Sequence, residues 1–377
     1  MILVIEPIFP NAHHAAVNAG MLRAILIAAR VEPVVFAAHP AHRAAVFETL
    51  GTVDAAHFGT IDIEVVQPGK VTFKRFMVQA HAILGLTRRL SARVVVCLGT
   101  APETLFACRV LAMIQRSVRI IAVLHGNLDQ AAGWRSRDPR HRWFDDRTSL
   151  RVADHPAIQL VVLEASIARA AIAMGLVRKE RCLVWPMPIS EREACEPPHF
   201  PDPKRLRIGF VGMGKRSKGF DDFLTLARHF MTTSDRYIFT LVGPLYGEFA
   251  PEDVALVDAA TGFLDRGDYL KRLHAIDYVC LPLKDETYTL TASGALIDGI
   301  AALKPIIALP TPAIHDLFAV GPVGYLCEDL GGMIRVIENT ETLADRAKYE
   351  IFQSNLQSLR AERLPSALAG VVGRALR

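Results

Sequence analysis

The sequence predicts an α/β protein built from two similar halves, and three observations carry that expectation. Short apolar runs rich in Val and Ile alternate with stretches of helical pattern. A break at 190–205, SEREACEPPHFPDPKR, holds four prolines and mixed charge, which is linker composition. Beyond it the alternation starts again. The chain has 377 residues, and at ~100–200 residues per domain two domains are expected. Strands apolar on both faces with helices between them imply parallel sheets covered on both sides.

The first half opens on ILVIE (2–6), a β-branched run that reads as a strand. AAVNAGMLRAILIAAR follows with helical spacing, then the strand candidates EPVVFAA (32–38) and IEVVQ (63–67). KVTFKRFMVQAHAILGLTRRL (70–90) reads as a basic amphipathic helix. RVVVCLG (93–99), helix APETLFACRVLAMIQR, RIIAVLHG (119–126), QLVVLEAS (159–166) and CLVWPMP (182–188) complete this half. In the second half, strands RIGFVG, YIFTLVG, DYVCLPL and PIIAL alternate with helices FDDFLTLARHF, YLKRLHAI and GALIDGIAAL. From about 341 the pattern is helical with no strand to pair, so this segment is expected to cross back to the first half.

Composition excludes several classes. Net charge is only +4, from 43 basic and 39 acidic residues, which argues against a dedicated nucleic-acid binder. No apolar stretch reaches the ~18 residues of a membrane span; the nearest, MLRAILIAARVEPVVFAA, is cut by Arg23, Arg30, Glu32 and Pro33. MILVIEPIFP lacks a basic n-region and a cleavage site, so no signal peptide is expected. The six cysteines are scattered without a C-x-x-C pair, which argues against a zinc site and for a reduced cytoplasm.

The most informative stretch is RIGFVGMGKRSKGF (207–220), where Lys215, Arg216 and Lys218 lie among glycines after an apolar run. It matches G-x-x-x-x-G-K from Gly209 to Lys215, but Arg216 stands where a phosphate-binding P-loop needs Ser or Thr. A dinucleotide fingerprint fails too, because Ser217 replaces its third glycine. The physics still suits a diphosphate: glycines let backbone N–H groups approach, and lysines supply point charge. TASG (291–294) begins another helix, whose first N–H groups also favour an anion while Thr291 or Ser293 caps it.

Strand, VG, basic loop, then Lys218-Gly219-Phe220-Asp221 resembles the donor-domain opening of family-4-type glycosyltransferases of the GT-B fold, whose pattern is V-G-R-x-x-x-x-K-G-x-D-x-L. Met213 stands at the usual Arg, and Lys215 or Arg216 substitutes for it. CLVWPMPIS resembles the family's P-N-P run, with Pro186 and Pro188 matching and Met187 at the Asn. The region up to Pro305 resembles the family's signature of two spaced glutamates. Aligned on Pro305, Asp298 takes the second glutamate's place and Leu290 the first's. Asp285 and Glu286 lie just upstream in a Thr-rich loop.

The resemblance implies two Rossmann-like domains facing across a cleft. Residues 1–195 would form the acceptor-binding domain, joined by the C-terminal helix at about 355–377, and residues 203–354 the donor-binding domain. It implies sugar transfer from a nucleoside-diphosphate sugar to a saccharide or lipid-linked saccharide acceptor, with retention. The diphosphate would lie against Gly214, Lys215, Arg216, Lys218, Ser293 and Gly294, and the ribose on Asp298. His125, at a strand's carboxyl end, and Glu286 are the catalytic candidates. Asn11, His13 and His14, in the first strand-to-helix loop, are expected to line the cleft, with only one of the adjacent histidines central.

No cofactor or metal is expected, since side chains supply the charge and no D-x-D motif stands out: Asp145-Asp146 and Asp221-Asp222 are adjacent pairs. Helix 70–90 and WRSRDPRHRWFDD (134–146) mix basic and aromatic residues, so peripheral contact with the inner membrane is expected, and no nucleic acid. A bacterial polysaccharide or glycolipid pathway fits. Two alternatives stand beside this reading: a non-catalytic subunit that binds a nucleotide sugar, and a P-loop NTPase.

Overall fold

A computed structural model describes residues 1–66, 73–125, 128–133, 144–191, 200–231, 234–260, 262, 264–284 and 288–377. The chain divides into two compact units. Unit 1 comprises Met1–Arg192, Leu290–Ala292 and Arg363–Arg377; unit 2 comprises Glu193–Thr289 and Ser293–Glu362.

Unit 1 is built on a seven-stranded sheet of order β3-β2-β1-β4-β5-β6-β7. Its strands are β1 (Ile2–Glu6), β2 (Val34–Ala38), β3 (Phe58–Asp62), β4 (Val94–Cys97), β5 (Arg119–Val123), β6 (Ile158–Val162) and β7 (Cys182–Val184). Every pairing is parallel. All residues of β1, β2 and β4 are buried, as a central strand covered by helices requires. Unit 2 carries a six-stranded parallel sheet of order β10-β9-β8-β11-β12-β13. Here β8 is Leu206–Val211, β9 Tyr237–Val242, β10 Asp258–Ala259, β11 Tyr278–Leu281, β12 Ile306–Ala308 and β13 Gly324–Leu326. Its core is aromatic: Phe210, Phe220, Phe223, Phe230 and Phe239 are essentially fully buried and in ring contact.

Chain direction across each sheet reverses beside its first strand, between β1 and β4 and between β8 and β11. In such sheets ligands bind outside the carboxyl ends at that switch point. The fold therefore assigns importance to the residues after Glu6 and after Val211.

The edges depart from the sequence reading. Residues 63–66 of the expected strand IEVVQ are not the third strand, and Gln67 lies outside the described residues; β3 is the preceding FGTID, which pairs with β2 from Phe58↔Val34 to Asp62↔Ala38. Only Phe58 of β3 is fully buried, so an edge strand lacks the apolar run that marks a central one. The short β10 and β13 escaped notice for the same reason. Helix Arg346–Glu362 buries Tyr349, Phe352, Leu356 and Leu359 in unit 2, and helix Pro365–Leu376 buries Leu368, Val372 and Leu376 in unit 1. Gly373 of this last helix lies against Ala28 of helix Ala15–Ala29, so the terminal helix does return to the first half.

Candidate functional site

In unit 2 the basic loop leaves the end of β8 and runs beside the chain that leaves β9. Gly214 N–H donates to the Pro244 carbonyl at 2.9 Å, and Tyr246 N–H donates to the Gly214 carbonyl at 2.9 Å. Arg216–Lys218 form one 3-10 turn that ends in Gly219 with φ 81°. A Cβ at Gly219 would lie 1.8 Å from the Pro282 carbonyl oxygen, so only glycine lets the loop close against the exit of β11. Gly219→Ala is expected to destabilise unit 2 by at least ~2 kcal/mol, because a rigid backbone atom blocks the methyl. Urea unfolding checks this; an unchanged midpoint would contradict it.

The three cations differ in environment. Lys215 Nζ lies 5.5 Å from the Tyr246 ring centroid. Arg216 turns back onto the Phe249 ring, 5.0 Å away, and donates to the Glu248 carbonyl at 3.3 Å. Lys218 is half-buried, and burial, with the Lys215 charge adding, holds its pKa below the ordinary lysine value. Lys284, which the sequence reading passed over, follows β11 and is already paired with Asp221 at 3.0 Å.

The start of helix Gly294–Ala301 lies against this loop: a Cβ on Gly212 would be 3.8 Å from the Ala295 Cβ. Ser293 is buried, and its Oγ accepts the Leu296 N–H at 3.3 Å, so it is the N-cap. One turn on, Asp298 accepts the Tyr269 hydroxyl at 2.6 Å and lies 3.6 Å from Arg266. Gly209, needed by a P-loop reading to open the loop, lies inside β8 instead.

In unit 1 the switch point holds a polar cluster. The sequence reading missed its centre, Glu6. This last residue of β1 is fully buried. Its Oε1 accepts the N–H groups of Ile8 at 2.9 Å and Phe9 at 3.3 Å, and its Oε2 accepts Asn18 Nδ2 at 3.0 Å. Burial pushes its pKa up to about 7 against the pull of these donors. A Cβ on Gly99 would fall 2.6 Å from Oε1, so the end of β4 must be glycine to admit the carboxylate. Asn18 Nδ2 also lies 3.0 Å from His42 Nε2. Since Nδ2 only donates, the His42 proton sits on Nδ1, which donates to the Asn11 carbonyl at 2.6 Å. An acid closing a wholly apolar strand was the available signal.

His13, His14 and His125 come together beside this network, with ring centroids 4.2 Å apart for His13–His14 and 4.9 Å for His14–His125. Of the two adjacent histidines, His13 is exposed and His14 is half-buried against His125. His14 adopts φ 60°, and this left-handed turn brings both rings onto Phe9. Burial first, then neighbouring histidines, lowers the His14 pKa to about 2. Burial lowers that of His125 to about 4, although the ring bonds the Leu98 carbonyl. The His125 Nε2 is shielded from solvent and has no hydrogen-bond partner among the described residues. Leu290 packs into the unit 1 core, a wholly apolar role. Glu286, Asp285 and most of 134–146 lie outside the described residues.

Two Rossmann-like units with these strand orders constitute a GT-B fold. The chain matches Anabaena HepE, solved in complex with UDP-glucose, with TM-score 0.64 and 14% identity over 99% of this chain and 97% of that one. It matches a glycosyltransferase of Rickettsia africae with TM-score 0.64 and 11% identity over 100% and 98% of the two chains. It matches sucrose-phosphate synthase of Thermosynechococcus elongatus with TM-score 0.64 and 15% identity over 99% and 97%. No family model matches the chain, and no curated protein matches its sequence.

Proposed function

We propose that this chain is a glycosyltransferase that moves a sugar from a nucleoside-diphosphate sugar to an acceptor hydroxyl, with retention and without a metal, in bacterial polysaccharide or glycolipid assembly. The observation that carries this reading is the Lys215–Lys218 turn at the end of β8, set against the start of helix Gly294–Ala301. Backbone dipoles and lysine charge would stabilise the departing diphosphate, which gains negative charge as the glycosyl bond breaks. That HepE was solved with UDP-glucose supports a nucleotide-sugar donor. Asn11, His13 and His14 would serve the acceptor side, and His125 and Glu286 are the catalytic candidates.

A thermal-shift screen against UDP, GDP, ADP and TDP and their sugars, with and without magnesium, tests the reading. Binding to the native state raises the melting midpoint by mass action. A metal-independent shift with one nucleoside diphosphate is expected. A shift only with a nucleoside triphosphate plus magnesium would overturn it. The packing of Leu290 at the position of the family's first glutamate favours a second reading, a non-catalytic nucleotide-sugar-binding subunit. Donor binding without turnover across a wide acceptor panel would establish that instead.

The acceptor side is proposed to contact an anionic membrane. Helix Phe73–Arg89 presents Phe73 at 67% and Met77 at 50% exposure. Lys74, His81, Arg88 and Arg89 are also exposed, and the helix has no acidic residue. Among the described residues no helix is long and apolar enough to cross a membrane. Phe73→Asp is expected to weaken flotation with phosphatidylglycerol vesicles about tenfold, by losing an exposed aromatic that would insert among the lipids. Equal binding to neutral phosphatidylcholine vesicles would refute an electrostatic contact.

A further inference from the structure

We propose that unit 2 carries a second anion site, apart from the basic loop, that binds a small phosphomonoester. The site is a cavity of about 330 Å³ between the sheet and helix Arg266–Ala275. Arg205, Arg207 and Arg272 line it, with Asp258 as the acid among them. Strand alternation builds one wall. Arg207 and Gly209 of β8 share a face, and their partners on β9 are Ile238 and Thr240. A Cβ on Gly209 would fall 2.4 Å from Ile276 Cδ1, so the glycine inside this strand makes room for Ile276. Ile276 and Ile238 form the apolar part of the lining.

The cations outnumber what answers them. Arg272 Nη2 donates to the Asp258 carbonyl at 2.6 Å and lies 2.9 Å from Asp258 Oδ1. Its Nε is shielded from solvent and has no acceptor among the described residues. Arg207 is fixed through its backbone, whose N–H donates to Asp277 Oδ2 at 2.7 Å. Among the described residues the guanidinium groups of Arg205 and Arg207 make no ion pair and no hydrogen bond. One carboxylate therefore faces three guanidinium groups. Their planar forks match phosphate oxygens, and a phosphomonoester brings about −1.5 to −2 charge at neutral pH. Ligand pockets span about 300–1,000 Å³, so a cavity of this size takes a small molecule. Ile238 and Ile276 offer its carbon atoms an apolar wall that inorganic phosphate cannot use. The site is separate from the basic loop. Arg207 is the second residue of β8, and the loop leaves after Val211, roughly 13 Å further along at ~3.3 Å per residue.

Calorimetric titration with glycerol 3-phosphate and with inorganic phosphate, at constant ionic strength, tests this. The wild type is expected to bind glycerol 3-phosphate several-fold tighter than inorganic phosphate, with roughly a CH₂ or two of extra burial as the cause. Arg207→Gln leaves the backbone bond to Asp277 in place, so the melting midpoint without ligand is expected to stay unchanged. Its affinity for glycerol 3-phosphate is expected to fall about tenfold, from the loss of one charge-assisted contact. Arg205 is exposed, so Arg205→Gln carries little risk to folding and is expected to weaken binding in the same direction. Lys218→Ala, which alters the basic loop alone, is expected to leave this affinity unchanged within about twofold.

Inorganic phosphate binding as tightly as glycerol 3-phosphate would make this a site for the free ion, and the phosphomonoester assignment would fail. Binding lost in Lys218→Ala but kept in Arg207→Gln would place the anion on the basic loop and overturn the second site. No binding of either probe to the wild type would reduce the cavity to three solvated arginines. None of these results refutes the donor-site reading, which the nucleotide screen tests separately.

Discussion

Lys218→Ala is expected to weaken nucleoside-diphosphate binding about tenfold or more, measured by calorimetric titration at fixed salt. Charge-assisted hydrogen bonds contribute ~1.5–3 kcal/mol, and each 1.4 kcal/mol is about a factor of ten. Lys218 is singled out from its neighbours by environment. Arg216 is already held by the Glu248 carbonyl and the Phe249 ring, and Lys284 by Asp221. Lys218 is half-buried beside Lys215, and both burial and that like charge disfavour its charged form. An incoming diphosphate relieves both penalties, so affinity is expected to fall as pH rises toward the lysine range, and less so in the variant. Unchanged affinity in Lys218→Ala would remove the loop from the donor site.

The second expected effect is on stability. Glu6 and His14 respond to acid in opposite senses. Folding raises the Glu6 pKa from an ordinary 4.5 to about 7, so the folded state binds this proton more readily. Its contribution is fully present below pH 4.5 and is lost as pH rises through 7. Folding lowers the His14 pKa from 6.5 to about 2 and that of His125 to about 4, so theirs is present above 6.5 and is lost on acidification. Between pH 7 and 4.5 the Glu6 gain, on the order of 3 kcal/mol, offsets much of the histidine loss. Glu6→Gln removes the gain and leaves the loss. Its urea midpoint is expected to fall steeply from pH 7 to 4.5, where the wild type changes much less. Parallel pH profiles for the two proteins would show that Glu6 does not titrate in this window.

Much of the fold was legible because its signals are local. Central strands such as ILVIE and VVVC are buried on both faces, so they appear as continuous apolar runs. The basic loop was legible because Gly219 and the lysines mark a tight turn that bears charge. The edges were not: β3 contributes one fully buried residue, and its position is decided by pairing with β2. Leu290 looked like a defect in a motif, whereas it is a core residue of unit 1.

The sequence by itself determined two α/β halves, the loop after β8 and the histidines after β1 and β5. All follow from periodicity and turn chemistry over a few neighbouring residues. Only the tertiary structure decided that Glu6 is buried beneath the β1 loop, that His13 and His14 share one side through a left-handed turn, and that Tyr269 holds Asp298. The reason is physical. Each of these depends on backbone conformation or on a partner distant in the chain, as with Asn18 and His42 or Tyr269 and Asp298. Such partners meet only where helices pack on a sheet whose register is set by the burial of the whole core.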